Sequence, residues 1–271
     1  MRAFLTATCS LFVSAAPSLA GVILADGDMD SLAIGTRPDR RNPNGAWGFP
    51  PNYISGLAAE PRRRYFTTVD TSTFDPSRTG NSLQLRVGDP INNMHLPNLF
   101  TQVINESPGE VVRVTFDLWV ADLPLGGGSI YVGGDHGGGG FSNATDRGPQ
   151  LTWLADGSIT QTDGAGVQNT IFSGFVRDDW QTVQIDIDLN ADTFDIALSN
   201  GVGQPLTSVG AGLGFRSNAL SFLDRFTFVN FTTTPISWSY LDNVSVSVIP
   251  EPTTLALLLV GAAALSARRR N

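Results

Sequence analysis

Every second residue from Val112 to Val120 is apolar: Val112, Val114, Phe116, Leu118 and Val120. A period of two puts these side chains on one face of an extended strand and leaves Arg113, Thr115, Asp117 and Trp119 on the other. A helix would scatter them around its circumference. The same alternation returns in Val183, Ile185, Ile187 and Leu189, in Phe194, Ile196 and Leu198, and in Val244, Val246 and Val248. Half-buried antiparallel strands carry this signature. The segments "SLQLRV", "SIYVGG", "QLTWLADGSI" and "RFTFVNF" add further strands, and no segment between the chain's two ends shows a helical period. The 29 glycines and 16 prolines supply the turns. So many alternating strands in one chain predict an all-β fold, an antiparallel two-sheet β-sandwich.

The two ends differ from this middle. The N-terminus, "MRAFLTATCSLFVSAAPSLAG", has Arg2, then an apolar stretch, then a small-x-small site at Ser18 and Ala20. These features predict a secretory signal peptide over residues 1–20, cut between Ala20 and Gly21. The C-terminus has Pro250-Glu251-Pro252, an apolar run from Thr253 to Ala267, and Arg268, Arg269 and Arg270. As a helix the run would be roughly 22 Å long, short of the roughly 30 Å hydrocarbon core, which suits a transient anchor better than a permanent one. Arginines beside such a helix stay cytoplasmic and leave the preceding residues outside the inner membrane. The expected division is therefore a signal peptide over 1–20, a β-sandwich domain over 21–249, and a tail over 250–271 with a short hydrophobic helix.

The tail resembles the PEP-CTERM sorting signal of Gram-negative bacteria, which joins a Pro-Glu-Pro motif, a short hydrophobic helix and a basic end in this order. The resemblance implies export and recognition by an exosortase, a membrane transpeptidase-like protease. It also implies cleavage near Pro250–Pro252 and release to the cell surface or extracellular polymer matrix. It says nothing of what the preceding domain does. A second resemblance lies in "DDWQTVQIDIDLNADTFDIALSNG", a Trp-led strand, an Asn-Ala-Asp turn and a returning strand. This is similar to the late hairpin of concanavalin A-like (LamG-like) jelly rolls and implies that type of sandwich.

Composition excludes several function classes. The net charge is −8, and no lysine occurs. An acidic chain without basic clusters on its strands predicts no nucleic-acid partner; Arg62-Arg63-Arg64 reads as a solvated stretch. The single cysteine, Cys9, lies in the signal peptide. The exported domain thus lacks disulfides, thiol catalysis and cysteine-held metals.

Candidate chemistry is sparse. Asp26, Asp28 and Asp30 form a D-x-D-x-D phrase that can offer oxygens to Ca²⁺, but the later bidentate Glu of a calcium loop is missing. No cofactor is otherwise expected. Asp186, Asp188, Asn190, Asp192 and Asp195 mimic a calcium loop, yet Ile187 and Leu189 alternate with the acids, so Asn190-Ala191-Asp192 reads as a turn. Asp135 and His136 sit in "GGDHGGGG", a glycine-rich loop at the sandwich rim, and are candidates for glycan binding there. Trp119, Tyr131, Trp153 and Trp238 are candidates to stack on sugar rings, whereas Trp47 and Trp180 read as core.

Only four glutamates occur, Glu60, Glu106, Glu110 and Glu251, and no Glu-x-Asp-x-Glu strand is present. A glycoside hydrolase needs two positioned carboxylates. No Gly-x-Ser-x-Gly elbow accompanies His95 or His136. The expectation is an exported, non-catalytic surface or matrix protein that binds exopolysaccharide. A glycan-active enzyme on the same scaffold and a purely structural matrix protein are the alternatives.

Overall fold

The computed structural model describes residues 21–22, 30, 47–48, 66–86, 98–105, 110–121, 128–134, 147–201, 203–217, 220–230 and 238–250. The expected signal peptide, the hydrophobic tail, Asp26, Asp28, Asp135, His136 and Arg62–Arg64 lie outside the described residues. Among the described residues, no helix is long and apolar enough to cross a membrane.

Fifteen strands are described: β1 (Gly21–Val22), β2 (Trp47–Gly48), β3 (Phe66–Asp70), β4 (Asn81–Arg86), β5 (Asn98–Asn105), β6 (Glu110–Val120), β7 (Gly128–Gly133), β8 (Arg147–Trp153), β9 (Ser158–Thr162), β10 (Gln168–Ser173), β11 (Trp180–Asp188), β12 (Thr193–Leu198), β13 (Thr207–Gly214), β14 (Phe222–Asn230) and β15 (Trp238–Pro250). One short 3-10 turn, Thr71–Thr73, follows β3. The strands form two antiparallel sheets. One is eight-stranded in the order β13-β12-β11-β6-β15-β4-β3, with β1 also on β15. The other is seven-stranded, in the order β10-β9-β8-β7-β14-β5-β2. This is the β-sandwich that the alternation predicts.

The apolar positions meet between the sheets. Val112, Val114, Phe116 and Leu118 of β6 join Val183, Ile185 and Ile187 of β11 and Phe194 and Ile196 of β12. Ile130, Val132, Leu151, Trp153, Ile159 and Phe226 come from the other sheet. With no disulfide in the domain, this burial is the main source of stability.

Two turns show how local chemistry fixes the register. Between β11 and β12, Asp188 Oδ1 accepts the backbone N–H groups of Asn190 (2.9 Å) and Ala191 (3.0 Å), and Asp192 takes φ 54°. Asp188 and Asp192 therefore serve the turn, while Asp186 pairs with Arg113 and Asp195 accepts the Gly212 backbone N–H. In β15 the register shifts between Asp242 and Ser245, with Asn243 at φ 51°. Asparagine tolerates the left-handed region better than most residues. The resulting bulge changes the parity of the strand, so Leu241, Val244 and Val246 all reach the core while Tyr240 and Asp242 face away from it.

Candidate functional site

The face of the seven-stranded sheet turned away from the core is polar from β7 to β10. Strand register sets Gln150 beside Tyr131, Tyr131 beside Thr227, and Thr227 beside Asn98. On the other flank, Gln150 Nε2 donates to Thr162 Oγ1 at 3.1 Å, and Thr162 is in register with Gln168. One polar row thus crosses four strands from β10 to β7. A second, parallel row runs through Thr170, Thr160, Thr152 and Ser129. Period-two alternation forces this outcome. With Ile130, Val132, Leu151, Trp153 and Ile159 in the core, their neighbours must face the other way.

The rows are ordered by their own hydrogen bonds. The hydroxyls of Ser129 and Thr152 lie 2.6 Å apart, and Arg147 Nη1 donates to Gln150 Oε1 at 3.3 Å. The Arg147 guanidinium lies over the Tyr131 ring, 4.3 Å from its centroid. Burial pushes the Tyr131 phenol above its ordinary pKa, against the charge of Arg147 and a hydrogen bond with Ser129. Ser129, Tyr131, Gln150, Thr152, Thr160 and Thr162 are buried, Arg147 is half-buried, and Gln168, Asn169 and Thr170 are exposed. The polar surface therefore opens to solvent at β10 and deepens toward β7.

The other predicted aromatic residues separate. Trp153 is 5% exposed and belongs to the core, so it is not a platform for sugar stacking. The parity signal was present, because Trp153 shares a strand face with Leu151. Trp238 begins β15, and its side chain lies outside the described residues.

Trp119 lies on the outer face of the eight-stranded sheet, in register with Trp180 of β11 and Tyr240 of β15. The segment after β3 folds over these rings. Phe74 stacks on Tyr240 at 3.6 Å between centroids and 16° between planes, and it lies 5.2 Å from Trp119. Arg78 sits 4.2 Å above Trp180 and bonds Asp117 and Asp242. Trp180, expected in the core, is buried here, beneath Arg78 and Phe74 rather than between the sheets.

Of the acidic phrase, Asp30 is described. It is exposed, and its Oδ1 accepts the Asn81 backbone N–H at 2.6 Å. Among the described residues no group of three or more His, Cys, Asp or Glu side chains is placed to hold a metal ion.

Comparison with solved structures places this architecture. The chain superposes on the catalytic domain of a glycoside hydrolase family 131 protein from Coprinopsis cinerea with a TM-score of 0.54 at 17% identity, covering 86% of this chain and 96% of that one. A family 131 β-glucanase catalytic domain from Podospora anserina gives a TM-score of 0.54 at 18% identity, over 83% and 96%. A sialidase gives 0.50 at 13% identity over 74% of this chain but only 17% of its own length. At these identities the likeness is one of fold. Comparison with curated proteins finds no match. Residues 248–270 match the family model of the PEP-CTERM protein-sorting motif, so the chain is an antiparallel β-sandwich that carries this sorting motif at its C-terminus.

Proposed function

We propose that this chain is an exported surface or extracellular-matrix protein that binds carbohydrate on the outer face of its seven-stranded sheet and does not cleave it. In this reading, residues 1–20 direct secretion and residues 21–249 form the binding domain. Residues 250–271 hold the protein at the inner membrane until an exosortase-type enzyme processes it. The sorting motif at 248–270 supports export.

One observation carries the binding assignment: two polar rows cross the sheet and open to solvent at β10. Neutral hydroxyls and amides in ranks suit the hydroxyls of a glycan, while the Tyr131 ring, buried and covered by Arg147, orders the row beneath them. The fold likeness to a β-glucanase catalytic domain is consistent with a polysaccharide partner. Hydrolysis would need two carboxylates about 5–10 Å apart beside an open substrate site. Among the described residues, the carboxylates of Asp117 and Asp242 converge, but Arg78 lies between them and Phe74 roofs the rings beside them.

Affinity electrophoresis of the full chain through gels cast with a panel of neutral and acidic polysaccharides tests the assignment. Retardation by at least one polymer is expected, weakened at least tenfold by Tyr131→Ala or Gln150→Ala and unchanged by Arg113→Ala. Release of reducing ends from the retarding polymer would overturn the non-catalytic reading. No retardation by any polymer would favour a purely structural role.

A further inference from the structure

A second concave site lies at the open side of the sandwich, where the edge strands β10 and β13 of the two sheets approach each other. A cleft of about 370 Å³ is lined by Phe172, Leu198, Pro205 and Val209 together with Asn200, Gln204 and Thr207. Its floor is apolar: Leu198 is buried, and Phe172 and Val209 pack against the core from its margin. Its rim is polar, exposed and uncharged.

The rim is built by a tight turn after β12. Ser199 Oγ donates to the Gly201 carbonyl at 2.8 Å, and the Gln204 backbone N–H donates to the same oxygen at 3.2 Å. Gly201 at φ 113° and Gly203 at φ 77° supply the backbone reversal that β-carbon-bearing residues resist. The side-chain amides of Asn200 and Gln204 have no hydrogen-bond partner among the described residues. A ring, an apolar floor and two unengaged amides on an ordered turn form an amphipathic recognition surface.

We infer that this edge cleft is a separate binding site for a neutral sugar unit, with Phe172 against the apolar face of the ring and Asn200 and Gln204 on its hydroxyls. The chemistry selects the ligand class. Amides both donate and accept, as sugar hydroxyls require. Among the described residues no cationic side chain lines the cleft to pair with a carboxylate, so a uronic acid would lose solvation of its charge without compensation. The volume falls in the range of small-ligand sites and matches one or two sugar rings. The site shares no residue with the polar rows and stands independently of the function proposed for them.

The probes are cellobiose as a neutral disaccharide and digalacturonic acid as a charged one, titrated into the ¹⁵N-labelled full chain. Cellobiose should shift the side-chain amide resonances of Asn200 and Gln204. Gln204→Ala should weaken this binding at least fivefold, and Phe172→Ala at least tenfold. Arg113→Ala, on the outer face of the eight-stranded sheet, should leave it unchanged. Gln204 is exposed, so its variant reports on binding without threatening the fold. Unmoved Asn200 and Gln204 resonances, or binding insensitive to Gln204→Ala, would overturn the site. Equal or tighter binding of digalacturonic acid would overturn the assignment to a neutral ligand. Loss that follows Tyr131→Ala but not Gln204→Ala would overturn this site while sparing the binding face on the seven-stranded sheet.

Discussion

Asp117 and Asp242 face each other across the β6–β15 ladder, and a single nitrogen of Arg78 bridges them, 2.8 Å from the first carboxylate and 3.0 Å from the second. Both carboxylates are buried. Asp117 is further satisfied by the Thr182 hydroxyl at 2.7 Å and the Asn243 amide at 2.8 Å. Removing the cation would leave two carboxylates confronting each other with little solvent. Arg78→Met should therefore cost about 3 kcal/mol, the scale for breaking a buried ion pair from one side. Urea unfolding followed by circular dichroism measures this, and a loss below about 1 kcal/mol would show that the bridge contributes little.

The same cluster predicts a pH dependence. Burial raises the Asp242 carboxyl to about 7, reinforced by the charges of Asp117 and Asp30 and opposed by Arg78 and the Asn243 N–H. In the unfolded chain an aspartate titrates near 3.9. The folded state therefore holds this proton more tightly than the unfolded one. The cost of the buried charge is absent below pH ~4, grows as the pH rises, and is complete above pH ~7. Stability should fall between pH ~4 and pH ~7, by on the order of 1–2 kcal/mol after solvent screening. Asp242→Asn should flatten that slope. A wild-type melting temperature that rises over this interval would contradict the assignment.

Phe74 closes the cluster from above. Its stack on Tyr240 and tilted contacts with Trp119 and Trp180 fasten the segment after β3 to the outer sheet face. Phe74→Ala should cost about 2 kcal/mol, less than for a fully enclosed phenylalanine because Phe74 is only half-buried. Tryptophan emission should move to longer wavelength as Trp119 and Trp180 meet water. An unchanged spectrum would mean that Phe74 does not shield them.

The alternation made the sandwich legible because it depends only on neighbours in the chain. Strands β6, β11 and β12 follow it directly. β13 escaped because the glycines at 210, 212 and 214 leave only Val209 and Leu213 as large apolar side chains in "TSVGAGLG"; β12 holds it in place through the backbone ladder, with two register shifts. Asp117 was legible as outward-facing but not as buried. The segment that covers it comes from Arg78, 39 residues earlier, and its second acidic neighbour lies on β15. Such a site depends on register between distant strands, which one sequence does not display. The polar rows were hidden for the same reason. Thr152, Thr160 and Thr162 look like ordinary strand threonines until pairing aligns them.

Arg113 and Asp186 offer a contrast to the buried bridge. They form a two-point pair at 2.7 Å on the outer face of the eight-stranded sheet, and the hydrogen bond to Asp186 is the leading cause of a raised Arg113 pKa. The geometry is good, but the arginine is about a third exposed. Solvent and salt screen such pairs, so Arg113→Ala should cost less than about 1 kcal/mol. A double-mutant cycle with Asp186→Ala at low and high salt measures the pair. A coupling above about 2 kcal/mol that resists salt would place it with the buried bridge instead.

Strand β15 continues to Pro250, so the sorting motif, which starts at Val248, overlaps the sheet. Val248 is in register with Val112 on one side and Gly21 on the other, and Pro250 with Glu110. A protease needs an extended, unpaired segment to bind in its cleft, and residues 248–249 are engaged by the ladder. Drawing them out would break the end of β15 and release β1. Cleavage of the folded domain should therefore fall after Pro250. At the other terminus, Gly21 should be retained, because β1 holds the edge of β15. Intact-mass analysis of the protein recovered from outside the inner membrane should give a species that begins at Gly21 and ends at Pro250 or later. A C-terminus at Val248 or earlier would mean that processing precedes closure of the sheet, or that β15 opens for the protease.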